Sequence, residues 1–313
     1  MRIVLLEDLG ISPAALEKHL EPLIRMGHTV QAYPRDTDPL VQAERCRDAD
    51  VLILANMPLA EAALAGAEHL QFIDVAFTGV DHLPMAEIKR RGIAVSNASG
   101  YATQAVAELC LSFMIQLLRN LGAAEARCLR GETKTGLPSR LLAGKTVGIV
   151  GAGAIGRRVA ALCKAFGCRV IAYSRSPVDD NAIDRQVPLA QLLSQADIVT
   201  LHCPLTAETA GLIGSAELAQ MQPSAVLINT ARGGVVDTRA LAQALEAGTI
   251  AGAACDVFDV EPPLPLDYPL LHTPNTIVTP HLAFSSAESM VLRAEIVFAN
   301  LHAWLSGQQS NAV

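Results

Sequence analysis

The run Gly151-Ala152-Gly153-Ala154-Ile155-Gly156 constrains this chain more than any other segment. It directly follows an apolar, β-rich stretch at residues 146–150 and directly precedes a helical pattern over residues 157–166. There it reads as a strand-to-helix turn: Gly151 permits the tight bend, Gly153 lets the backbone approach a pyrophosphate, and Gly156 lets helix and strand pack closely. The helix N-terminus, reached through Ala154 and Ile155, offers unsatisfied N–H groups and partial positive charge to an anion. A bare glycine pattern is weak, because any tight turn favours glycine. Here a second strand ending at Tyr173 completes a βαβ unit, and the whole points to dinucleotide binding.

The rest of the chain repeats that architecture. Apolar runs at residues 2–6, 28–33, 51–55, 71–75 and 93–95 alternate with helical segments, the first of which opens on Ser12-Pro13, a capping hydroxyl followed by proline at the first helical position. A second set of strand candidates falls at 146–150, 169–173, 198–201, 225–229, 251–255 and 276–279. Between the sets lie a largely apolar helix at 102–121, for which Thr103 is a possible cap, and an irregular connector reaching Leu141. With 313 residues, about two domains are expected. The fold class is therefore α/β, with two doubly wound parallel sheets, the larger domain being the dinucleotide-binding one. Residues 285–305 have helical spacing and no following strand, and are expected to pack back on the first domain.

Composition removes several function classes. Twenty-four basic against 31 acidic side chains leave a net charge of −7, which supplies no basic face for nucleic acid. No polybasic run marks a membrane surface, no uncharged stretch is apolar enough to span a bilayer, and the first residues lack signal-peptide organisation, so a cytoplasmic protein is expected. The seven cysteines form no C-x-x-C pair and most lie in apolar surroundings; reduced thiols and no metal are expected.

About 20 residues past the glycine turn, an NAD site normally carries an acid for the ribose hydroxyls. This chain has Ser174, Arg175 and Ser176 instead. A guanidinium flanked by hydroxyls can bind a 2′-phosphate, which favours NADP, although a solvated arginine that merely tolerates NAD is the plainer reading.

Open parallel sheets bind ligands beyond the carboxyl ends of their strands. Arg232 follows the strand candidate at 225–229, Asp256 and Glu261 follow that at 251–255, and His281 follows that at 276–279. Singly, a lone arginine is usually a surface charge, an acid before Pro262-Pro263 a loop residue, and one of eight histidines structural. Together they supply what hydride transfer to a carbonyl needs: an acid/base near neutral, a carboxylate to hold it, and a cation for an anionic substrate. His202 also follows a strand but has no acid immediately after it, so it ranks below His281.

The segments 147–156, 201–209, 229–237, 256–262 and 279–281, with Phe77–His82 and Tyr101–Glu108 in the first half, together resemble the D-isomer-specific 2-hydroxyacid dehydrogenase family over nearly the whole chain. The resemblance implies that His281 is the general acid/base, Glu261 its carboxylate partner, and Arg232 the group that binds the substrate carboxylate and polarises the keto oxygen. It implies that backbone amides around Thr78 and Gly79 hold the same carboxylate, that Pro204 and Thr209 line the adenine and ribose side, and that Thr103, Thr230 with its neighbour Ala231, and Asp256 lie near the nicotinamide and its phosphates. It also implies a discontinuous, flavodoxin-like substrate domain (1–98 and 283–313) around a Rossmann domain (99–282), and a homodimer formed through the segment after Gly100.

Two departures from the family pattern stand out. The missing acid after Tyr173 resembles NADP-using glyoxylate and hydroxypyruvate reductases, and Ala154 replaces a larger residue of many members. The expected function is reduction of a small 2-keto acid of the glyoxylate or hydroxypyruvate type with NADP or NAD. The alternatives are a non-catalytic dinucleotide sensor resembling transcriptional corepressors of this fold, and an NAD-dependent phosphoglycerate dehydrogenase. The last is the less expected because the chain stops at Val313 without the extension of the longer enzymes.

Overall fold

Strands buried on both faces need helices above and below them, and the near-continuous apolar runs of this chain meet that condition. The computed structural model describes residues Met1–Val313 as two units, Met1–Ala102 with Ser285–Val313 and Thr103–Phe284.

The discontinuous unit holds β1 (Arg2–Leu5), β2 (Thr29–Ala32), β3 (Val51–Leu54), β4 (Phe72–Val75) and β5 (Ala94–Asn97). All pairings are parallel and the order is β2-β1-β3-β4-β5. That is the flavodoxin-like winding. β3 and β4 are buried throughout, whereas the edge strand β2 is largely exposed. The final helix, Ala287–Leu305, returns to this sheet as its lack of a following strand suggested: Trp304 stacks on Phe72 with centroids 4.8 Å apart, and Asn300 Nδ2 donates to Asp74 Oδ1 at 3.1 Å. The terminal residues then run along β5, where Val313 N donates to Val95 O at 3.1 Å.

The other unit holds β6 (Thr146–Val150), β7 (Arg169–Tyr173), β8 (Arg185–Gln186), β9 (Ile198–Leu201), β10 (Val226–Asn229), β11 (Gly252–Cys255) and β12 (Thr276–Val278), all parallel. Their order is β12-β11-β10-β9-β6-β7-β8, so the winding reverses between β6 and β9 and opens a ligand crevice at their carboxyl ends. Its core runs from Val150 and Ile171 through Leu192, Leu227 and Leu241 to Phe258, Tyr268 and Leu270.

Two elements were not expected. β8 is two exposed residues long, too short to leave an apolar signature. Within the supposedly irregular connector, Leu121–Leu129 is helical, which its Ala-Ala-Glu-Ala-Arg run favours. It is set off from the helix Thr103–Arg119 by Asn120, which takes a left-handed conformation and donates from Nδ2 to Pro138 O at 2.8 Å. The units meet in sequence at 102/103 and 284/285, a few residues beyond the cuts at 98/99 and 282/283 that the sequence suggested. No single helix is long and apolar enough to cross a membrane.

Candidate active site

The glycine turn closes on its neighbours so tightly that side chains are excluded. Gly151 has φ +98°, its N–H donates to Tyr173 O at 2.8 Å, and a Cβ there would lie 2.7 Å from the backbone of His202 and Cys203. A Cβ at Gly156 would stand 2.2 Å from Gly151 O. Gly153 is the opposite case: nothing lies near its Cβ position, so its backbone faces open space at the cap of the helix Ala154–Ala165. No side chain caps that helix, which leaves its first amides to a ligand. Arg157 braces the turn, Nε donating to Ala152 O at 3.0 Å.

A cleft of about 230 Å³ opens beside this turn, lined by Gly151, Gly153, Ser174, Arg175, Ser176, Pro204 and Thr209 among the residues singled out from the sequence, and also by Tyr173, His202, Cys203, Glu208 and Leu212. The Ser174-Arg175-Ser176 segment is held from β8, whose Gln186 Nε2 donates to Ser174 O at 2.8 Å and Ser176 O at 3.1 Å. Thr209 organises the opposite wall by donating to Pro204 O at 2.6 Å while accepting from Thr206 N at 2.8 Å. Glu208 carries an exposed carboxylate in the same wall; the Thr206 hydroxyl, then its own backbone amide, and more weakly the Arg175 charge favour its ionised form.

His202 reaches the cleft with part of its surface, yet its ring is enclosed, and Nε2 lies 3.0 Å from Thr200 Oγ1. Burial pushes its pKa down to about 3, so the imidazole stays neutral at working pH and cannot serve as a proton donor there. In the unfolded chain the group titrates near 6.5. Between about 3 and 6.5 the unfolded state therefore binds the extra proton, and stability falls as pH drops through that window. A His202→Gln variant is expected to lose less stability on acidification, by up to about 1.4 kcal/mol per pH unit. Urea melts at several pH values between 4 and 7 measure it; parallel curves for the two proteins would show that His202 is not the titrating group.

The carboxyl ends of β10, β11 and β12 carry the remaining candidates. After β10, Thr230 is buried with Oγ1 3.2 Å from Cys110 Sγ, and Ala231 N donates to Asn229 Oδ1 at 3.1 Å. Arg232 is extended and leads into the 3-10 turn Gly233–Val235; its Nη1 donates to Ala231 O at 2.8 Å and its carbonyl accepts from Asn229 Nδ2 at 2.9 Å.

After β11, the buried Asp256 carboxylate accepts from Thr279 Oγ1 at 2.6 Å, Leu282 N at 2.9 Å and Ala283 N at 2.8 Å, and its carbonyl accepts from His281 N at 2.9 Å. Burial pushes the Asp256 carboxyl up, and those donors, with the nearby His281, oppose the shift. Asp256 thus fixes the loop that bears His281, an engagement the sequence did not reveal. His281 itself sits in the left-handed region at φ +53°, which a non-glycine residue rarely adopts. Its Nδ1 lies 3.0 and 3.2 Å from the two oxygens of Glu261, and its ring meets Phe284 edge-on at 5.4 Å. The imidazole is 12% exposed and the Glu261 side chain 54%.

Of the remaining candidates, Thr103 starts the helix Thr103–Arg119, where the neighbouring Gln104 accepts from Arg158 Nε at 2.6 Å. Thr78 and Gly79 belong to the other unit, in the turn after β4, where Thr78 O accepts from Asn97 Nδ2 at 2.7 Å. The glycine turn, its cleft and the His281–Glu261 pair thus share one unit.

Residues 111–283 match the family described as D-isomer specific 2-hydroxyacid dehydrogenase, NAD binding domain. The chain is 37% identical over 296 residues to a glycerate dehydrogenase of Methylorubrum extorquens, covering 91% of this chain and 92% of that protein. It is 38% identical over 305 residues to a glyoxylate reductase of Thermococcus litoralis, covering 94% and 90%. Among solved structures, an NADPH-dependent glyoxylate/hydroxypyruvate reductase of Sinorhizobium meliloti in complex with NADP and malonate superimposes with a TM-score of 0.85 at 29% identity, covering 100% of this chain and 96% of that one.

Proposed function

The chain belongs to the D-isomer-specific 2-hydroxyacid dehydrogenase family, and from that premise we propose that it reduces small 2-keto acids of the glyoxylate and hydroxypyruvate type to D-2-hydroxy acids, with NADPH preferred over NADH. The observation that carries this reading is the contact of His281 Nδ1 with both Glu261 oxygens, 3.0 and 3.2 Å away, in the same unit as the glycine turn.

The residues suit a dinucleotide: the first turn from Gly153 to Gly156 would hold the pyrophosphate and Pro204 and Thr209 the adenosine side, with Thr103, Thr230 and Ala231 toward the nicotinamide. The buried Asp256 carboxylate is already taken by Thr279, Leu282 and Ala283 and acts through the His281 loop instead. When bound, the reduced cofactor supplies the hydride that reaches C2 of the substrate. Glu261, accepting Nδ1–H, sets the tautomer and orientation of His281, so Nε2 is the nitrogen that exchanges a proton with the substrate oxygen. In the reductive direction His281 donates to the developing alkoxide. In the oxidative direction the neutral ring removes the hydroxyl proton. Arg232 orients the substrate carboxylate and draws electron density from the keto oxygen.

For the cofactor, the reading rests on Arg175 at the exposed rim of the cleft, on the absence of an acid after Tyr173, and on the NADP described for the Sinorhizobium meliloti relative. Arg175→Asp is expected to cut the NADPH-to-NADH ratio of kcat/KM by at least about tenfold, since a charge-assisted hydrogen bond contributes about 1.5–3 kcal/mol. An unchanged ratio would mean that Arg175 does not read the 2′-phosphate. We also assign the protein to the cytoplasm and to a homodimer. Support for the dimer comes from the helix Leu121–Leu129, which buries none of its residues within its own chain and leaves Leu121 and Leu129 exposed. The function is tested by kcat/KM for glyoxylate and hydroxypyruvate with NADPH and with NADH: turnover favouring NADPH is expected, and tight dinucleotide binding without turnover of any 2-keto acid would make the protein a sensor instead.

A further inference from the structure

We propose that Tyr268 is a positioning residue whose hydroxyl ties the loop bearing Glu261 to the turn bearing Arg232, holding the two groups in one register. This rests on the roles assigned to Glu261, Arg232 and His281 above.

Tyr268 lies between β11 and β12 and is 7% exposed, its ring edge-on to Phe258 with centroids 5.5 Å apart. A packed aromatic ring needs no hydroxyl, yet this one makes two polar contacts. It donates to Asp259 Oδ1 at 2.5 Å, and its oxygen lies 3.2 Å from Thr238 Oγ1. The phenol has a single proton, which goes to Asp259, so the Thr238 hydroxyl is the donor in the second contact. Burial, reinforced by the Asp259 carboxylate, pushes the phenol pKa up to about 12, so it remains a donor across the working range.

The two partners belong to different catalytic loops. Asp259 stands two residues before Glu261, while Thr238 opens the helix Thr238–Glu246 that follows the turn Gly233–Val235 next to Arg232. The loops also touch directly: a Cβ on Gly233 would lie 1.8 Å from Phe258 C and 2.4 Å from Asp259 N. The arginine turn therefore rests on the backbone of the carboxylate loop, and Tyr268 pins both from behind. With that pin removed, the exposed Glu261 side chain has one fewer constraint on the aim of its oxygens at His281.

Tyr268→Phe keeps the ring and its contact with Phe258 but removes the hydroxyl. It is expected to lower kcat for glyoxylate reduction by about 10- to 100-fold, the scale of a misplaced catalytic group. NADPH affinity by fluorescence titration and the melting temperature should stay close to wild type. In a Glu261→Gln background the same change should cost clearly less kcat than in wild type, because only the Arg232 end of the tie is then left to misplace. Asp259→Ala should reproduce the Tyr268→Phe loss, and Asp259→Asn, which keeps an acceptor oxygen, should restore part of it. Tyr268→Phe should also move the ¹⁵N resonances of the His281 imidazole. Unchanged kcat, an equal loss in both backgrounds, or an unmoved His281 spectrum would overturn the inference. Wild-type kcat in Glu261→Gln alone would overturn the role given to Glu261, and the His281 spectrum would then decide the Tyr268 inference by itself.

Discussion

His281→Ala is expected to lower kcat for 2-keto acid reduction by about 10²–10⁴-fold, the usual contribution of general acid–base catalysis. Three features single this imidazole out. It projects from the carboxyl end of β12, where a wound sheet places its ligands. Its Nδ1 is engaged by Glu261 at 3.0 Å, which orients the ring. Its backbone is held in a left-handed conformation at φ +53°, with His281 N donating to Asp256 O and to Thr279 O, both at 2.9 Å. A conformation that costs about 1–3 kcal/mol persists where its surroundings over-determine it. The cleft beside the glycine turn includes no part of residue 281, so NADPH affinity should change little. Retained turnover would remove His281 from its role. His202 offers no substitute proton donor, because burial keeps it neutral.

Arg232→Ala is expected to cost comparably, with a different signature. A bidentate guanidinium–carboxylate contact combines two charge-assisted hydrogen bonds of about 1.5–3 kcal/mol each, so kcat/KM for glyoxylate should fall by about 10²–10⁴-fold, KM rising together with a fall in kcat. Arg232→Lys should recover only a small part, since an ammonium keeps the charge but not the planar fork. The extended backbone of Arg232 is fixed by Asn229 Nδ2 at 2.9 Å from its carbonyl, so the substitutions should leave the turn in place. Steady-state kinetics with NADPH saturating measures both variants; a KM for glyoxylate unaltered in Arg232→Ala would assign the carboxylate to another cation.

Much of the candidate site was legible as a set of positions, because the residues proposed for it are concentrated in short runs at strand ends. Gly151–Gly156, Arg232, Glu261 and His281 each follow a recognisable apolar strand, and parallel winding alone brings such ends to one edge of a sheet. What escaped was the support beneath them. Asp256 spends its carboxylate on Thr279, Leu282 and Ala283, and Tyr268 spends its hydroxyl on Asp259 and Thr238. Neither partnership has a spacing rule, because each joins loops brought together by tertiary packing alone. Gln186 illustrates the same limit: it secures Ser174 and Ser176 from a two-residue strand with no apolar signature. The helix Leu121–Leu129 was obscured differently, by an asparagine break that interrupts a run of good helix formers.

Passage of hydride to C2 of a 2-keto acid, with a proton to its oxygen, is followed with NADPH deuterated at C4 of the nicotinamide. With glyoxylate as acceptor, deuterium should appear on C2 of the product, and a bulkier 2-keto acid should give the D-2-hydroxy acid alone. An L-configured product, or no transfer of label to any 2-keto acid from a dinucleotide shown to be bound, would contradict the account.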